Sequence, residues 1–318
     1  MDTIDERILF ELDKNSRIPE VRLAKLIKKS KESVRYRIKK LLDQKIITGF
    51  SVWLDIPKLG YDTAKFYFNL ANIPSKKKEF LDYLKKDKRT FWVGVAEGAW
   101  NVGATFFVKD NKEFFDLKAE LFGKFKGLIL ECKTASLVEI YQKPKTFLHP
   151  SNEKFSLMLN KREDLKLDEI EVYILRELFK NSRVNIAEIS GKYDVSVDKI
   201  KYRIKRLEKE KIISRYNANI DFSKLGYDLY KTFIYTKNLD KESLDALISY
   251  CEKNKNIAHV VKQISEWDLE LEILCKNYHE YNEIISNLTE KFSKVIQKVE
   301  TAIMGEDYVF PARNFVFE

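Results

Sequence analysis

Glycine, proline, cysteine and histidine are all scarce in these 318 residues, with ten, six, three and three copies. The glycines form neither a G-x-G-x-x-G nor a Walker A run, and Gly94 and Gly98 in "VGVAEG" do not amount to one, so a nucleotide cradle is not encoded. Cys132, Cys251 and Cys275 lie far apart with no C-x-x-C spacing, which excludes a disulfide framework and fits a reducing interior, predicting a cytoplasmic protein. His149 falls in a proline-containing connection, His259 in a strand pattern and His279 near a helix start. Cys275 and His279 straddle a strand-to-helix turn with no second ligand pair, so no metal is expected; Cys251 shares the apolar face of "SLDALISYC" and reads as core. No stretch approaches the ~18 apolar residues of a membrane span, and the acidic, helix-periodic start "MDTIDERILFELDKN" is unlike a signal peptide.

What the chain has in excess is positive charge and repetition. It carries 58 Lys+Arg against 49 Asp+Glu, and "VRYRIKKLLDQKII" at 34–47 returns as "IKYRIKRLEKEKII" at 200–213. An offset of 166 pairs Asn15-Ser16-Arg17 with Asn181-Ser182-Arg183 and "KLGYD" at 58–62 with "KLGYD" at 224–228. Beyond one insertion the offset is 167, pairing Trp100 with Trp267, Tyr141 with Tyr308 and Pro144 with Pro311. Two long copies mean a tandem of two units, not a solenoid of many short ones.

Each unit changes its apolar period once. Ile4, Ile8, Leu9 and Leu12, matched by Ile170, Ile174, Leu175 and Leu178, mark a first helix; a short second one follows with Leu23, Ala24 and Ile27. Ser30 and Ser196 stand at N-cap positions before a third helix with the stripe Val34, Ile38, Leu41 or Ile200, Ile204, Leu207. Then the pattern alternates, as in "AKFYFNLA" and "WDLELEILC", predicting strands packed on one side, with helical stretches such as "YHEYNEIISNLTEKF" between them. The predicted fold is α+β: in each unit a winged helix-turn-helix, then a ferredoxin-like β-α-β-β-α-β domain. The expected boundaries are 1–55 and 56–142 for the first unit, a linker at 143–166, then 167–221 and 222–318 with a C-terminal tail.

The third helix turns Lys31, Ser33, Arg35, Tyr36, Lys39 and Lys40 outward, and in the second copy Lys199, Lys201, Tyr202, Lys205 and Arg206. A solvated charged face accounts for a lone basic helix. Here, however, the helix is third in a trihelical unit and is followed by "IITGFSVWL", a strand pair in the position of a wing, which points to the DNA major groove. Residues 22–45 hold ten basic side chains against two acidic, and residues 188–211 hold eight against five, so the first head is the more basic.

The run 4–61 resembles the helix-turn-helix of the Lrp/AsnC, or feast/famine, transcription regulators. The resemblance is carried by Asp5-x-x-Ile8-Leu9, Arg17, Leu23-Ala24, Ser30-x-x-x-Val34-x-x-Arg37 and Lys58-Leu59-Gly60, and in the second copy by Ile174, Leu175, Arg183, Ser196, Ile200, Arg203 and Lys224-Leu225-Gly226. The remainder of each unit is similar to the family's effector and assembly (RAM) domain, so the resemblance covers about nine tenths of the chain. It implies a double-stranded DNA partner, an intrachain pseudo-dimer open to higher homo-oligomers, in which the two sheet domains pack face to face and the connecting strands "GFSVWLD" and "RYNANID" are available to pair as a two-stranded ribbon, no membrane partner, no cofactor and no catalysis. Implied DNA contacts are Lys28, Lys29, Ser30, Lys31, Ser33, Arg35, Tyr36, Arg37, Lys39 and Lys40, with Ser196, Lys199, Lys201, Tyr202, Arg203, Lys205 and Arg206. Arg37 and Arg203 have a second reading, as partners of a helix-one carboxylate such as Asp5 or Glu171.

Departures from the family pattern are informative. Lys28, Lys45, Asp194 and Lys211 stand where members often have glycine, at a cost of about 1 kcal/mol for a left-handed turn. The effector loop's Gly and, three residues on, Asp are split: Gly98 with Asn101, and Ser265 with Asp268, which argues against a conventional amino-acid effector at those four positions. Two alternatives stay open. Fused siroheme decarboxylases, which work with His and Arg around a tetrapyrrole, resemble the tandem architecture, although the first sheet domain has no histidine. A scaffolding or ligand-binding protein without DNA binding is the other.

Overall fold

A computed structural model describes residues 1–157, 162–237 and 239–310; Pro311, part of the linker and the C-terminal tail lie outside the described residues. The elements run α1 (Thr3–Lys14), α2 (Glu20–Ile27), α3 (Lys31–Asp43), β1 (Ile47–Leu54), β2 (Asp62–Leu70), α4 (Pro74–Lys86), β3 (Thr90–Gly98), β4 (Val102–Val108), α5 (Asn111–Lys124), β5 (Ile129–Gln142) and β6 (Ser156–Leu157). The second copy repeats them as α6 (Glu169–Lys180), α7 (Ile186–Tyr193), α8 (Val197–Lys209), β7 (Ile213–Ile220), β8 (Asp228–Thr236), α9 (Lys241–Lys253), β9 (Ile257–Ile264), β10 (Leu269–Cys275), α10 (Tyr278–Lys291) and β11 (Ile296–Val309). They assemble by kind, with both helical heads and residues 143–154 in one compact unit and both sheet domains in another.

In the helical unit, capping boxes start each head: Asp2 with Asp5 on α1, and Asp168 with Glu171 on α6. Ile8, Leu9, Leu12, Leu23, Val34, Ile38 and Leu41 form the first head's core, joined by Leu148 from the connecting segment and Ala218 from β7. That last residue arrives because β1 takes its partner from the other copy. β1 and β7 pair antiparallel, Phe50 opposite Ala218 and Val52 opposite Tyr216. Around this ribbon the contacts are reciprocal. Ser16 N–H donates to Tyr216 O and Ser182 N–H to Phe50 O, both at 3.0 Å, and the two serine hydroxyls meet, buried, at 2.7 Å. Arg17 donates to Ser182 O, Arg183 to Ser16 O at 2.6 Å, and their guanidiniums lie over the rings of Tyr216 and Phe50.

In the sheet unit the strands run β2-β4-β3-β11-β8-β10-β9-β5, and β5 returns to β2, closing an eight-stranded antiparallel barrel with β6 attached to β5. The 14-residue strands β5 and β11 make the closure. Each pairs first within its own half, with β2 or β8, and then across to β9 or β3. The repeat register survives: Tyr141 faces Val260 as Tyr308 faces Val93. Helices α4 and α5 cover one half through Phe80, Leu84, Leu117 and Leu121, and α9 and α10 the other through Leu247, Cys251, Tyr281 and Leu288.

The strands are therefore packed on both faces, not one. Between the halves lie Tyr67, Trp92, Trp100, Phe233 and Trp267, with Phe233 stacked on Trp267 at 4.2 Å. The polar side of "WDLELEILC" also points inward. Glu270, fully buried, accepts from Lys65 Nζ and Tyr67 Oη at 2.6 Å, Gln263 Nε2 at 2.8 Å and Lys231 Nζ at 3.0 Å. Glu272 bonds Lys231 and His259 Nδ1, and Glu300 accepts from Lys133 at 2.8 Å and Tyr235 at 2.6 Å. Burial alone raises these carboxyl pKa values. The ammonium groups outweigh it, Lys231 and Lys65 holding Glu270 at about 2 and Lys133 and Lys298 helping hold Glu300 at about 2.

Two outcomes are expected. Because these carboxylates titrate below their ordinary 4.5, their contribution is complete above that pH and lost as pH falls toward 2, and Glu300→Gln flattens this acid limb in urea melts followed by circular dichroism. Trp92 lies flat on Gly94 and Gly103, where added Cβ atoms would meet its ring at 2.3 and 2.7 Å. Gly103→Ala costs about 1–3 kcal/mol, read from the urea midpoint.

Candidate nucleic-acid interface

The third helix of each head is set by its cap and its stripe. The Ser30 hydroxyl accepts from Ser33 N–H at 3.1 Å, and Ser196 does the same for Lys199 at 3.4 Å, so both serines are committed to starting a helix. Lys28 and Asp194 adopt left-handed backbone at the turn into it, and Lys45 and Lys211 after it, with φ between 53° and 56°. Val34, Ile38 and Leu41, and in the other head Ile200, Ile204 and Leu207, are buried.

The opposite face is open. Lys28, Lys29, Lys31, Arg35, Tyr36, Lys39 and Lys40 are exposed, with Ser33 and Arg37 half-buried. Lys199, Lys201, Tyr202 and Lys205 are exposed in the second head, with Arg203 and Arg206 half-buried. Tyr36 and Tyr202, equivalent in the repeat, are 69% and 65% exposed, placing an aromatic ring at the same point of both basic faces.

The arginines divide from the lysines. Arg37 bonds Asp5 at 2.7 Å and Asp2 at 2.8 Å, and Arg203 lies 2.7 Å from Asp168 and 4.0 Å from Glu171. Of the two readings given by the sequence, the geometry has both residues tying helix three to the start of helix one. Asp5 and Asp2 raise the Arg37 pKa; the Asp5 N–H, then Arg37, lower that of Asp2. Arg35 is forked onto Glu20 Oε2 at 2.9 and 3.2 Å, and Arg206 reaches Glu171 at 2.8 Å and Glu210 at 3.1 Å. Lys201 lies 3.4 Å from Asp198. The partners Asp2, Asp168 and Glu20 were not singled out by sequence reasoning. The first two were readable, since a carboxylate three residues before another carboxylate at a helix start is a capping-box pattern.

The four effector-loop positions are in the sheet unit and are occupied by their own chain. Asn101 Oδ1 accepts from Leu70 N–H at 2.9 Å, and its repeat counterpart Asp268 accepts from Thr236 N–H at 3.1 Å and from its hydroxyl. Ser265 donates to Trp267 O. Gly98 has φ 117°, and a Cβ there would lie 2.4 Å from Thr301 O. Among the described residues no group of three or more His, Cys, Asp or Glu side chains is placed to hold a metal, and no helix is long and apolar enough to cross a membrane.

Comparison with known proteins agrees with this geometry. Residues 1–48 and 167–214 each match the winged helix-turn-helix DNA-binding family. An uncharacterised HTH-type transcriptional regulator of Pyrococcus furiosus is 32% identical over 145 residues, 45% of this chain and 93% of that protein. The HTH-type transcriptional regulator LrpA of Pyrococcus abyssi is 28% identical over 132 residues, 42% of this chain and 93% of that one. The crystal structure of the siroheme decarboxylase NirDL superposes with a TM-score of 0.67 over 99% of this chain and 96% of its own, at 14% identity, a likeness of fold. Two head matches, a relative matched along nearly its whole length and the duplicated sheet domain place the chain in the Lrp/AsnC family of HTH-type transcriptional regulators, with two of the family's units in one polypeptide.

Proposed function

We propose that this chain is a sequence-specific double-stranded DNA-binding regulator that supplies, within one polypeptide, the two heads that a two-fold operator requires. The observation that carries the reading is the ribbon of β1 and β7 with its reciprocal Ser16, Ser182, Arg17 and Arg183 contacts, which joins two exposed basic helices into one body. Helix-turn-helix pairs address half-sites about one helical turn, ~34–36 Å, apart. The heads differ in sequence, so the half-sites are related but unequal. Lys28, Lys29, Lys31, Lys39, Lys40, Lys199 and Lys205 are the phosphate contacts, and Arg35, Tyr36, Lys201 and Tyr202 the groups that reach base edges. Arg37, Arg203 and Arg206 hold the heads together, and Ser30, Ser33 and Ser196 build the helix start.

The effector loops spend their polar groups on neighbouring strands, which supports regulation without a conventional amino-acid site there. The curated relatives are regulators, and aromatic side chains fill the space between the halves of the barrel; both support a non-enzymatic protein, and scattered free cysteines support a cytoplasmic one.

Footprinting on selected operators tests the reading: protection over two unequal half-sites is expected, and protection of a single half-site by the intact chain would contradict it. Lys28→Ala with Lys29→Ala lowers the slope of log K against log salt by up to roughly two units. Arg35→Ala and Lys201→Ala each change preference at one half-site, by about 1–3 kcal/mol, in competition gel shifts. Arg37→Ala acts differently: it strands the buried Asp5 carboxylate and lowers thermal stability by about 1–3 kcal/mol, whereas Lys39→Ala stays within about 0.5 kcal/mol.

A further inference from the structure

The two halves of the barrel share a backbone plan but not a charge. Half one, β2 to β5, sends Lys65 and Lys133 to the ionic network between the halves; half two, β8 to β11, sends Lys231 and the carboxylates Glu270, Glu272 and Glu300. With Lys298, which also meets Glu300, and Asp307, which faces Lys231, both from half two, the network balances at four ammonium groups against four carboxylates. Among the described residues Lys65 and Lys133 find their carboxylates only across the pseudo-two-fold, on Glu270 at 2.6 Å and Glu300 at 2.8 Å. The repeat positions explain why: Glu270 and Glu272 correspond to Gly103 and Thr105, and Glu300 corresponds to Lys133 itself. At the rim one pair runs the other way, Glu139 of half one to Lys262 of half two at 2.7 Å.

We propose that this charge arrangement makes the halves exclusive partners, so that half one accepts half two and rejects a second copy of itself, and half two does likewise. Two copies of half one would bring four ammonium groups into the network and none of its carboxylates. Two copies of half two would bring four ammonium groups and eight carboxylates. Neither set can be neutralised from within, and a buried charge left without its partner is strongly destabilising. Replacing a buried ion pair by apolar groups is often neutral for stability, so the value of this network lies in which partner it refuses. The chain is thereby kept from exchanging its halves with another copy through like-with-like pairing.

The test uses the whole protein, nicked. A protease site placed between residues 157 and 164 cuts the connection while leaving both halves and both heads present. Isotopically light and heavy nicked protein are mixed, unfolded in urea, refolded together and read by native mass spectrometry. Only one-plus-two assemblies are expected, with light and heavy halves scrambled; one-plus-one or two-plus-two assemblies at comparable abundance overturn the proposal. To assign the selectivity to the barrel rather than the heads, the same exchange is run with Lys65→Met, Lys133→Met, Lys231→Met, Glu270→Gln, Glu272→Gln, Glu300→Gln and Asp307→Asn together. Like-with-like assemblies should rise at least roughly tenfold, and strict hetero-pairing in that variant would also overturn it. Should that variant not refold, the pair Lys65→Met with Glu270→Met is read by the same criterion.

Discussion

Everything in the sheet unit depends on two strands being too long for their own half. A four-stranded antiparallel sheet with helices on one face leaves its other face and its edges open to water or to another chain. Strands β5 and β11 run 14 residues each, spend the first part on their own sheet and continue onto the other. That continuation removes the edges and brings the two bare faces together. The aromatic cluster and the ionic network follow from it, because only after closure do Tyr67 and Phe233, or Lys65 and Glu270, come within reach.

The same logic, with different chemistry, governs the heads. Each trihelical core is small, and each borrows from the other copy: the first head buries Ala218 of β7, and α6 approaches β1 closely enough for Ser182 to bond Phe50. Arg37, Arg203 and Arg206 of the third helices are turned to the internal work of orienting helix three on helix one. What remains outward is Arg35, a set of lysines and two tyrosines. Lysine is a mobile point charge suited to phosphate, and a fixed arginine fork is suited to a fixed carboxylate. The division of labour is thus one that the side chains themselves favour.

Local periodicity made much of this legible. Val34, Ile38 and Leu41 could be assigned to a buried stripe because a 3.6-residue period has few alternatives, and Ser30 and Ser196 to caps because a hydroxyl before such a stripe has a defined use. The sheet was harder. Alternation in "WDLELEILC" says that two faces differ, yet it cannot say that the polar face sees water. Glu270 is read as an outward residue until Lys65, 205 positions earlier, is known to lie against it. The ribbon was more accessible: "IITGFSVWL" reads as a wing, yet the repeat makes "GFSVWLD" and "RYNANID" equivalent connecting strands free to pair across a pseudo-dimer, and β1 does pair with β7. Side-chain pairing between distant strands is where a single sequence is silent, while Arg37 with Asp5 was within reach because both sit in one small unit.

The ribbon of β1 and β7 has a consequence for biosynthesis. Its strands are 166 residues apart, and the first head's core includes Leu148 and Ala218. A ribosome adding ~5–20 residues per second therefore exposes the first recognition helix for many seconds before β7 emerges to complete the body that holds it. During that interval the strand edge of β1 is unpaired and Ser16 lacks its partner. A nascent chain in this state carries one basic head and an open edge, and it becomes a finished two-headed protein only when the last strand of its second head is made.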